Sequence, residues 1–320
     1  MQALIITAYK DTEQLIELIR NTHKDFLVFV HVDKKSDIDL NKVKLHHFDN
    51  LYISRHYNIT WGGYNHLAAI MELLKTALKD DRVSYVHIIS GQDVPVRSVN
   101  EFNEKFNETD AIYMTCTPIE DCAVSVQKRL ERRVVTANMD SRKIPVKICN
   151  VVTYGIQKIL MGKRSKLGEY QSIYKGMVWV SMPRKAVEFV LQYIDENPKY
   201  IIDMKHTVIP EEFFFQTIFM NSYWKDKVIC DNLRYTDWSC RNGSIPAILD
   251  ESDYDSILQS GAYFARKIDL KISERLLQML KTENNTGEIH GRQSIKTENK
   301  HHFYCIVLYY AKFAAFIYKL

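Results

Sequence analysis

Apolar and polar positions alternate along the first 110 residues in the manner of a layered α/β protein. Five short apolar runs predict strands, at residues 3–7, 26–31, 51–53, 85–89 and 111–114. Two sets of apolar residues at helical spacing lie between them: Leu15, Ile16, Leu18 and Ile19, then Leu67, Ile70, Leu74 and Leu78. This alternation predicts an α/β fold with a mostly parallel central sheet and helices on both faces.

Two helix starts carry the spacing of a capping box, Asp11 with Gln14 and Ser98 with Glu101. Beyond residue 170 the pattern predicts a strand at 177–181 and helices at 184–194 and 211–220. Residues 120–170 are basic and irregular. They are interpreted either as a solvated face or as a rim that meets an anionic ligand or lipid.

The C-terminal part changes character after residue 281. Residues 282–302 are polar and aperiodic, which predicts a linker between a folded domain at 1–281 and a tail. Residues 303–320 are aromatic and contain two lysines without an acid. This stretch is shorter than the ~20 residues that span a bilayer. It predicts a helix lying in a membrane interface, and the alternative is a helix packed on the body or against a partner.

Composition bounds the class of protein. With 320 residues, 46 % apolar residues and a formal charge of +4, the chain is an ordinary globular protein. A disordered or polytopic membrane protein is excluded, and so weak a charge gives no reason to expect nucleic acid as a partner. The six cysteines lack metal-site spacing, and the first apolar run is too short for a signal peptide. A cytoplasmic location is expected.

Acidic residues at strand ends are the first candidates for ligand binding. Asp33 and Asp93 each follow an apolar run, where ligands sit in parallel sheets. Trp61 and Gly62 place a ring beside flexible backbone. The structural alternatives are turn-forming aspartates and a packing tryptophan. The Asp-x-Asp pairs at 37–39 and 253–255 resemble cation ligands, but both lie in polar stretches, so no metal is expected.

Two further charged pairs suit catalysis. Glu211 and Glu212 follow Pro210, where the helix dipole alone would favour carboxylates. A glutamate partly desolvated by the phenylalanines at 213–215 would instead be a better general base. Arg266 and Lys267 are adjacent and able to neutralise a pyrophosphate without a metal, or are simply surface charge.

Seven segments, taken in order, resemble one known family. They are HVDKKS (31–36), WGGYNHLAAI (61–70), SGQDVPVRS (90–98), MVWVSMPR (177–184), IPEEFFFQT (209–217), LRYTDW (233–238) and FARKID (264–269). The order resembles the core-2/I-branching β-1,6-N-acetylglucosaminyltransferases and the peptide O-xylosyltransferases, over roughly residues 1–280. The resemblance implies a GT-A-type fold and inverting, metal-independent transfer from a UDP-sugar.

The resemblance also implies roles for single residues. Glu212 matches the catalytic base, and Lys267 with Arg266 beside it matches the phosphate-binding lysine. Residues matched to the nucleotide and donor side, or to the cleft where donor and acceptor meet, are Asp33, Trp61, Gly62, Asp93, Trp179 and Glu211. Arg241 is the nearest counterpart of a second phosphate-binding arginine, but it is out of register.

The expected function is transfer of a sugar, N-acetylglucosamine in the first instance, from its UDP donor to a glycan hydroxyl. The alternatives are UDP-xylose or another UDP-hexose as donor, and a sugar-nucleotide-binding or membrane-peripheral scaffold protein without catalysis. No cofactor is expected. The animal members' anchor, stem and disulfide pattern are not seen here. We therefore expect the protein to act at the inner face of the plasma membrane, with a polysaccharide or lipid-linked saccharide as acceptor. The tail is expected to contact the membrane.

Overall fold

The computed structural model describes residues 1–130, 133–140, 142–161 and 172–286. Its strands are β1 Gln2–Ala8, β2 Leu27–Val32, β3 Leu51–Ser54, β4 Tyr85–Ser90, β5 Asp93–Pro95, β6 Ile112–Tyr113, β7 Thr117–Pro118, β8 Tyr174–Lys175, β9 Ser181–Pro183, β10 Val228–Ile229, β11 Arg234–Thr236 and β12 Phe264–Arg266. Its α-helices are α1 Thr12–Arg20, α2 Leu40–Lys44, α3 Tyr64–Ala77, α4 Val99–Phe106, α5 Val124–Gln127, α6 Ile144–Met161, α7 Arg184–Glu196, α8 Pro198–Lys205, α9 Phe214–Met220, α10 Tyr254–Gln259 and α11 Leu270–Thr286.

The central sheet has the order β10-β6-β9-β4-β1-β2-β3. Strand β1 runs parallel to β2 and β4, and β2 runs parallel to β3. Only β9 runs against its neighbours β4 and β6. Parallel strands covered on both faces need nearly continuous apolar sequence, which β1, β2 and β4 have. The predicted mixed α/β architecture with a mostly parallel sheet is confirmed.

Helices cover both faces of this sheet, also as predicted. Ala3 and Ile5 point into a core shared with α3, α7, α8 and α9. Leu4 and Ile6 point into a second core shared with α1, α2 and α4. The alternation of side chains along one strand thus supplies both cores. A smaller sheet, β11-β12-β5, packs on α10 and α11 through a third apolar cluster.

The carboxyl ends of the parallel strands meet at one edge, and backbone hydrogen bonds join them. The Asp33 N–H donates to Ala8 O at 2.8 Å, and the Gly91 N–H donates to Thr7 O at 2.9 Å. The loops after β1, β2 and β4 are therefore bonded to one another. This edge is where the predicted ligand-binding residues lie.

Several local predictions need correction. The basic segment 120–170 is not irregular throughout, because it contains α5 and the long helix α6. The strand predicted at 177–181 forms only from Ser181 onward. The helix predicted at 211–220 opens with a 3₁₀ turn at Pro210–Glu212. Helix α11 continues to Thr286, into the predicted linker. The rest of that linker and the aromatic tail, 303–320, lie outside the described residues.

The two predicted capping boxes have different outcomes. Ser98 and Glu101 form one, with both reciprocal hydrogen bonds present. Asp11 accepts from the Gln14 N–H, but the Gln14 side chain turns away and donates to Gly91 O and Ile268 O. Gln14 thus joins the end of β4 to the segment after β12. Among the described residues, no helix has the length and apolar character needed to cross a bilayer.

Candidate active site

Two sequence motifs that lie far apart in the chain are bonded together at the edge of the sheet. Ile209 adopts a left-handed conformation, with φ of 54°, and its N–H donates to Gly62 O at 2.9 Å. Gly62 has φ of 75°, a region that glycine enters without steric cost. The loop with Trp61 and Gly62 therefore holds the 3₁₀ turn that presents Glu211 and Glu212.

Cations surround the carboxylate of Glu212. Its Oε2 lies 3.0 Å from an Arg129 guanidinium nitrogen and 3.4 Å from Lys175 Nζ, and 20 % of the side chain is exposed. The expected apolar setting beside Phe213–Phe215 differs from what is found. Those rings are fully buried in the core beneath, because the turn directs successive side chains apart. Ion pairing, rather than contact with the rings, fixes this carboxylate in place.

The neighbouring Glu211 is buried and connects to the end of β1. Its Oε1 lies 2.9 Å from His66 Nδ1, and His66 Nε2 lies 3.2 Å from Thr7 Oγ1. Within the described residues, Glu211 Oε2 has no hydrogen-bond partner. A lone buried oxygen of this kind is suited to receive a ligand hydroxyl. His66 was not predicted as a site residue, although it lies in the WGGYNHLAAI segment (61–70).

Asp93, Arg266 and Trp179 form a second group at the same edge. Asp93 and Arg266 are paired across β5 and β12, and Arg266 Nε lies 3.5 Å from Asp93 Oδ1. The Arg266 guanidinium lies 4.2 Å from the centre of the Trp179 ring, a cation–π contact. The Ser90 N–H donates to Asp93 Oδ2. The predicted residues Asp93, Trp179 and Arg266 are therefore brought together.

Arg234 supports this group and was missed as a site residue, although it lies in the LRYTDW segment. It donates to Ile88 O at 2.8 Å and to Ser181 Oγ at 3.1 Å, and it stacks on Phe264. Burial lowers the pKa of Arg234 to about 10. A buried cation so close to Asp93 adds to the positive character of this edge.

Lys267 lies in a field of positive charge. Its ammonium donates to Ser244 Oγ at 3.2 Å. Its pKa is lowered by burial first and then by the cations Lys10 and Arg266. The Lys10 ammonium itself lies 3.4 Å from Asp269. Lys10 and Arg266 each lie near one carboxylate, Asp269 and Asp93, while the Lys267 ammonium contacts a hydroxyl. Three cations near one another make a region suited to a polyanion.

Asp33 and Trp61 occupy the predicted edge with mainly structural contacts. Asp33 is buried, and its Oδ1 accepts from the Lys35 N–H at 3.2 Å and the Ile59 N–H at 3.1 Å. These bonds tie the loop after β2 to the loop before α3. The Trp61 ring is 42 % exposed and lies 5.6 Å from the Arg142 guanidinium.

Arg241 does not face the phosphate region. Its guanidinium lies 2.6 Å from Asp250, 2.5 Å from Asp253 and 3.3 Å from Asp237. The three carboxylates engage both terminal nitrogens of the guanidinium, so Arg241 holds the loop before α10 together. This also occupies Asp253, one of the two possible Asp-x-Asp cation sites.

The other Asp-x-Asp pair is occupied as well, since Asp39 caps the start of α2. In the part of the chain that the structure describes, no cluster of three or more His, Cys, Asp or Glu side chains is arranged to hold a metal ion.

The chain is similar to proteins of one known family. A family model described as Core-2/I-Branching enzyme matches residues 3–258. Xylosyltransferase sqv-6 of Caenorhabditis elegans is 22 % identical over 266 residues, which cover 75 % of this chain and 31 % of that protein. Xylosyltransferase 1 of Rattus norvegicus is 23 % identical over 284 residues, covering 81 % and 32 %. The chain thus spans less than a third of these two relatives' lengths.

A solved structure of mouse xyloside xylosyltransferase 1 in its apo form is 10 % identical, with a TM-score of 0.35 over 82 % of this chain and 96 % of that one. A likeness at that level carries no argument about the site. The family model, in contrast, matches most of the chain, from β1 into α10. The chain therefore belongs to the core-2/I-branching enzyme family.

Proposed function

We propose that this protein is an inverting glycosyltransferase that moves a sugar from a UDP-sugar to a hydroxyl of a glycan. The observation that carries the proposal is the Glu212 carboxylate, held by Arg129 and Lys175. The Gly176 N–H donates to Glu212 O, and Trp179 in the same segment contacts the Arg266 guanidinium, which is next to Lys267 in the chain. Such a transfer needs a carboxylate that acts as general base and a cationic region that binds the leaving diphosphate. Family membership and the xylosyltransferase relatives support the same class of reaction.

The mechanism follows from these positions. Both cations contact Oε2 of Glu212, which leaves Oε1 to accept the proton of an acceptor hydroxyl. The deprotonated oxygen forms a bond with C1 of the donor sugar on the face opposite the phosphate. The bond from C1 to the phosphate oxygen breaks, and UDP leaves with its negative charge. Lys267 and Arg266 stabilise that charge as it grows, so they act on turnover more than on donor affinity.

The sugar site is proposed around Asp93, Trp179 and Glu211. The described contacts leave Trp179 Nε1 and Glu211 Oε2 buried without a hydrogen-bond partner. Asp93 Oδ1 is buried as well, with Arg266 Nε 3.5 Å away as an ion-pair partner but no hydrogen bond. Sugar hydroxyls are able to satisfy all three, since a hydroxyl both donates and accepts. Buried polar groups of this kind cost free energy when unpaired, which favours an occupied site.

The donor is proposed to be UDP-N-acetylglucosamine or UDP-xylose. The resemblance to branching enzymes favours the first, and the names of the curated relatives favour the second. Transfer is proposed to need no divalent metal, with the cations Lys267 and Arg266 neutralising the pyrophosphate. The acceptor is proposed to be a polysaccharide or lipid-linked saccharide.

The test is donor-dependent release of UDP by purified protein in EDTA, with UDP-N-acetylglucosamine, UDP-xylose, UDP-galactose and UDP-glucose. We expect turnover with one donor, and a loss of about 10²–10⁴-fold in Glu212→Gln because the general base is removed. Glu108→Gln, an exposed residue after α4, is the matched control and should retain full turnover. Wild-type turnover in Glu212→Gln contradicts the assignment of the base, and activity that requires manganese contradicts metal independence.

The non-catalytic alternative, a sugar-nucleotide-binding or scaffold protein, has a separate outcome. A sugar-nucleotide-binding protein predicts binding of UDP by calorimetry but no UDP release with any donor and acceptor mixture, and a scaffold protein predicts neither. The proposed place of work is the cytoplasmic face of the plasma membrane.

A further inference from the structure

Helix α6 presents its polar residues to the body of the protein. Asn150 Oδ1 accepts from the Thr136 hydroxyl at 2.9 Å. Gln157 Oε1 accepts from the Arg133 N–H at 2.9 Å, and Gln157 Nε2 donates to Arg133 O at 2.8 Å. Val146 is the buried apolar side chain on this side. A surface helix of a soluble protein usually turns its apolar stripe inward instead.

The opposite side of α6 is apolar and faces outward. The exposed residues that form this apolar arc are Ile144, Ile148, Val151, Val152, Ile156, Ile159 and Leu160. Ile159 is 84 % exposed and Leu160 is 77 % exposed, so the arc is not covered by neighbouring described residues. At 100° per residue the arc covers about half of the helix circumference, over a length of roughly 27 Å. Contiguous apolar surface of this extent marks an interaction site.

The charges beside the arc are all positive. Lys147 and Lys158 project from the helix next to Val151, along one border of the arc, and Lys143 precedes the helix. The helix Ile144–Met161 contains no acidic residue. An apolar face bordered by lysines is the pattern of a helix that lies in the interface of an anionic bilayer. Lysines near such a surface each add attraction.

A second copy of the chain is a poorer occupant of the arc. In a two-fold contact the same face meets itself. The lysine borders of the two copies would then approach one another with no carboxylate on either helix to pair with them. Like charges placed together oppose association. An anionic lipid surface accepts both the apolar arc and the lysines.

We propose that α6 lies flat in the surface of a bilayer rich in anionic lipid, with the apolar arc inserted and Lys147 and Lys158 at the headgroups. Helix α6 is a different segment of the sequence from the aromatic residues 303–320, and the proposal does not depend on sugar transfer. The segment leading to α6 contacts the candidate site, because the Tyr64 N–H donates to Ala137 O at 3.1 Å and Arg142 lies over Trp61. Docking through α6 therefore brings the Trp61 loop near the membrane.

Flotation of the full chain with lipid vesicles tests the proposal, with lipid titrated at fixed protein. We expect partition onto vesicles of phosphatidylglycerol and phosphatidylcholine at least tenfold stronger than onto phosphatidylcholine alone. The double variant Ile148→Asp/Ile159→Asp should partition at least tenfold more weakly, because each isoleucine side chain that enters the bilayer contributes to insertion. Ile202→Asp, at an exposed isoleucine of α8, is the matched control and should bind as wild type.

The charge reversal Lys147→Glu/Lys158→Glu should weaken binding to the anionic vesicles and leave weak binding to neutral ones unchanged. Circular dichroism and urea midpoints equal to those of wild type establish that the variants are folded. Anionic-vesicle partition of Ile148→Asp/Ile159→Asp equal to that of wild type overturns the proposal. A second result would also overturn it. In that result the wild-type protein binds no vesicles and is a dimer by light scattering, and Ile148→Asp/Ile159→Asp is a monomer.

Discussion

At the scale of single residues, Gly176 shows how tightly the site is built. Its N–H donates to Glu212 O at 2.8 Å. A Cβ at this position would lie 1.9 Å from Thr115 O and 2.7 Å from Gln216 Nε2. Neither neighbour is free to retreat, since one is backbone and the other donates to Met177 O. The strand that carries Lys175 is thus held against the turn that carries Glu212.

We expect Gly176→Ala to lower the free energy of unfolding by about 1–3 kcal/mol or more, through overpacking. It should also reduce UDP release at least tenfold, because Glu212 and Lys175 shift relative to each other. Urea denaturation and the UDP-release assay measure the two effects. Gly155→Ala is the matched control, since a Cβ there meets nothing within 4 Å and helix propensity favours alanine. Equal stability of Gly176→Ala and wild type would contradict this packing.

The same scale shows what sequence reasoning can and cannot reach. Asp93 and Arg266 were predictable, because one follows an apolar run and the other lies in a recognisable segment. Their pairing was not, since it depends on the register of β5 against β12. Arg129 and Lys175 were missed for a related reason. Each is a single lysine or arginine among many, and only the folded chain places both on Glu212.

At the scale of elements, α6 escaped prediction because its apolar residues cover about half of the circumference. A periodicity argument assumes a narrow apolar stripe that faces a core. Here Asn150 and Gln157 face the body, and Ile148 and Ile159 face outward. Because lysines and arginines surround these residues, the sequence predicted an irregular basic segment instead of a helix. Very short strands such as β9 were equally hard to predict, since three residues carry no period.

Helix α4 provides a test at this scale, because its start was predicted from Ser98 and Glu101. Ser98→Ala removes the acceptor for the Glu101 N–H and should cost about 1 kcal/mol in the free energy of unfolding. Asn100→Ala, an exposed change in the same first turn, should leave stability unchanged or slightly raise it. Urea titration of both variants makes the comparison. Loss of stability in Asn100→Ala equal to that in Ser98→Ala would mean that the helix, rather than its cap, is sensitive.

At the scale of the whole molecule, the central sheet contains two histidines that make its stability depend on pH. His87 on β4 is fully buried between Ser181 Oγ and Gln2 Oε1, each at 2.9 Å. His31 on β2 accepts from the Tyr57 N–H through Nε2, so protonation there breaks a hydrogen bond. Burial lowers the pKa of both, that of His87 strongly.

The sign of the effect follows from where each state binds protons. Below pH about 6.5 these histidines take up protons more readily in the unfolded chain than in the fold, where burial lowers their pKa. Unfolding then binds protons, so stability falls as pH falls. We expect the free energy of unfolding to decrease by about 1–3 kcal/mol per pH unit between pH 6 and 5, up to ~1.4 for each histidine. Urea titrations at pH 7.5, 6 and 5 measure this slope.

Carboxylates change the stability at lower pH than the histidines do, so the two contributions can be measured separately. Hydrogen bonding from Lys281 lowers the pKa of Glu17 to about 2, and hydrogen bonding from Ser252 lowers that of Asp250 to about 2. Their contribution is present above their unfolded pKa, near 4, and is lost as pH falls further. His87→Gln removes one titrating group, so its slope between pH 6 and 5 should be shallower than that of wild type, whatever its absolute stability. A wild-type stability that stays constant from pH 7.5 to 5 would mean that these histidines are protonated inside the sheet.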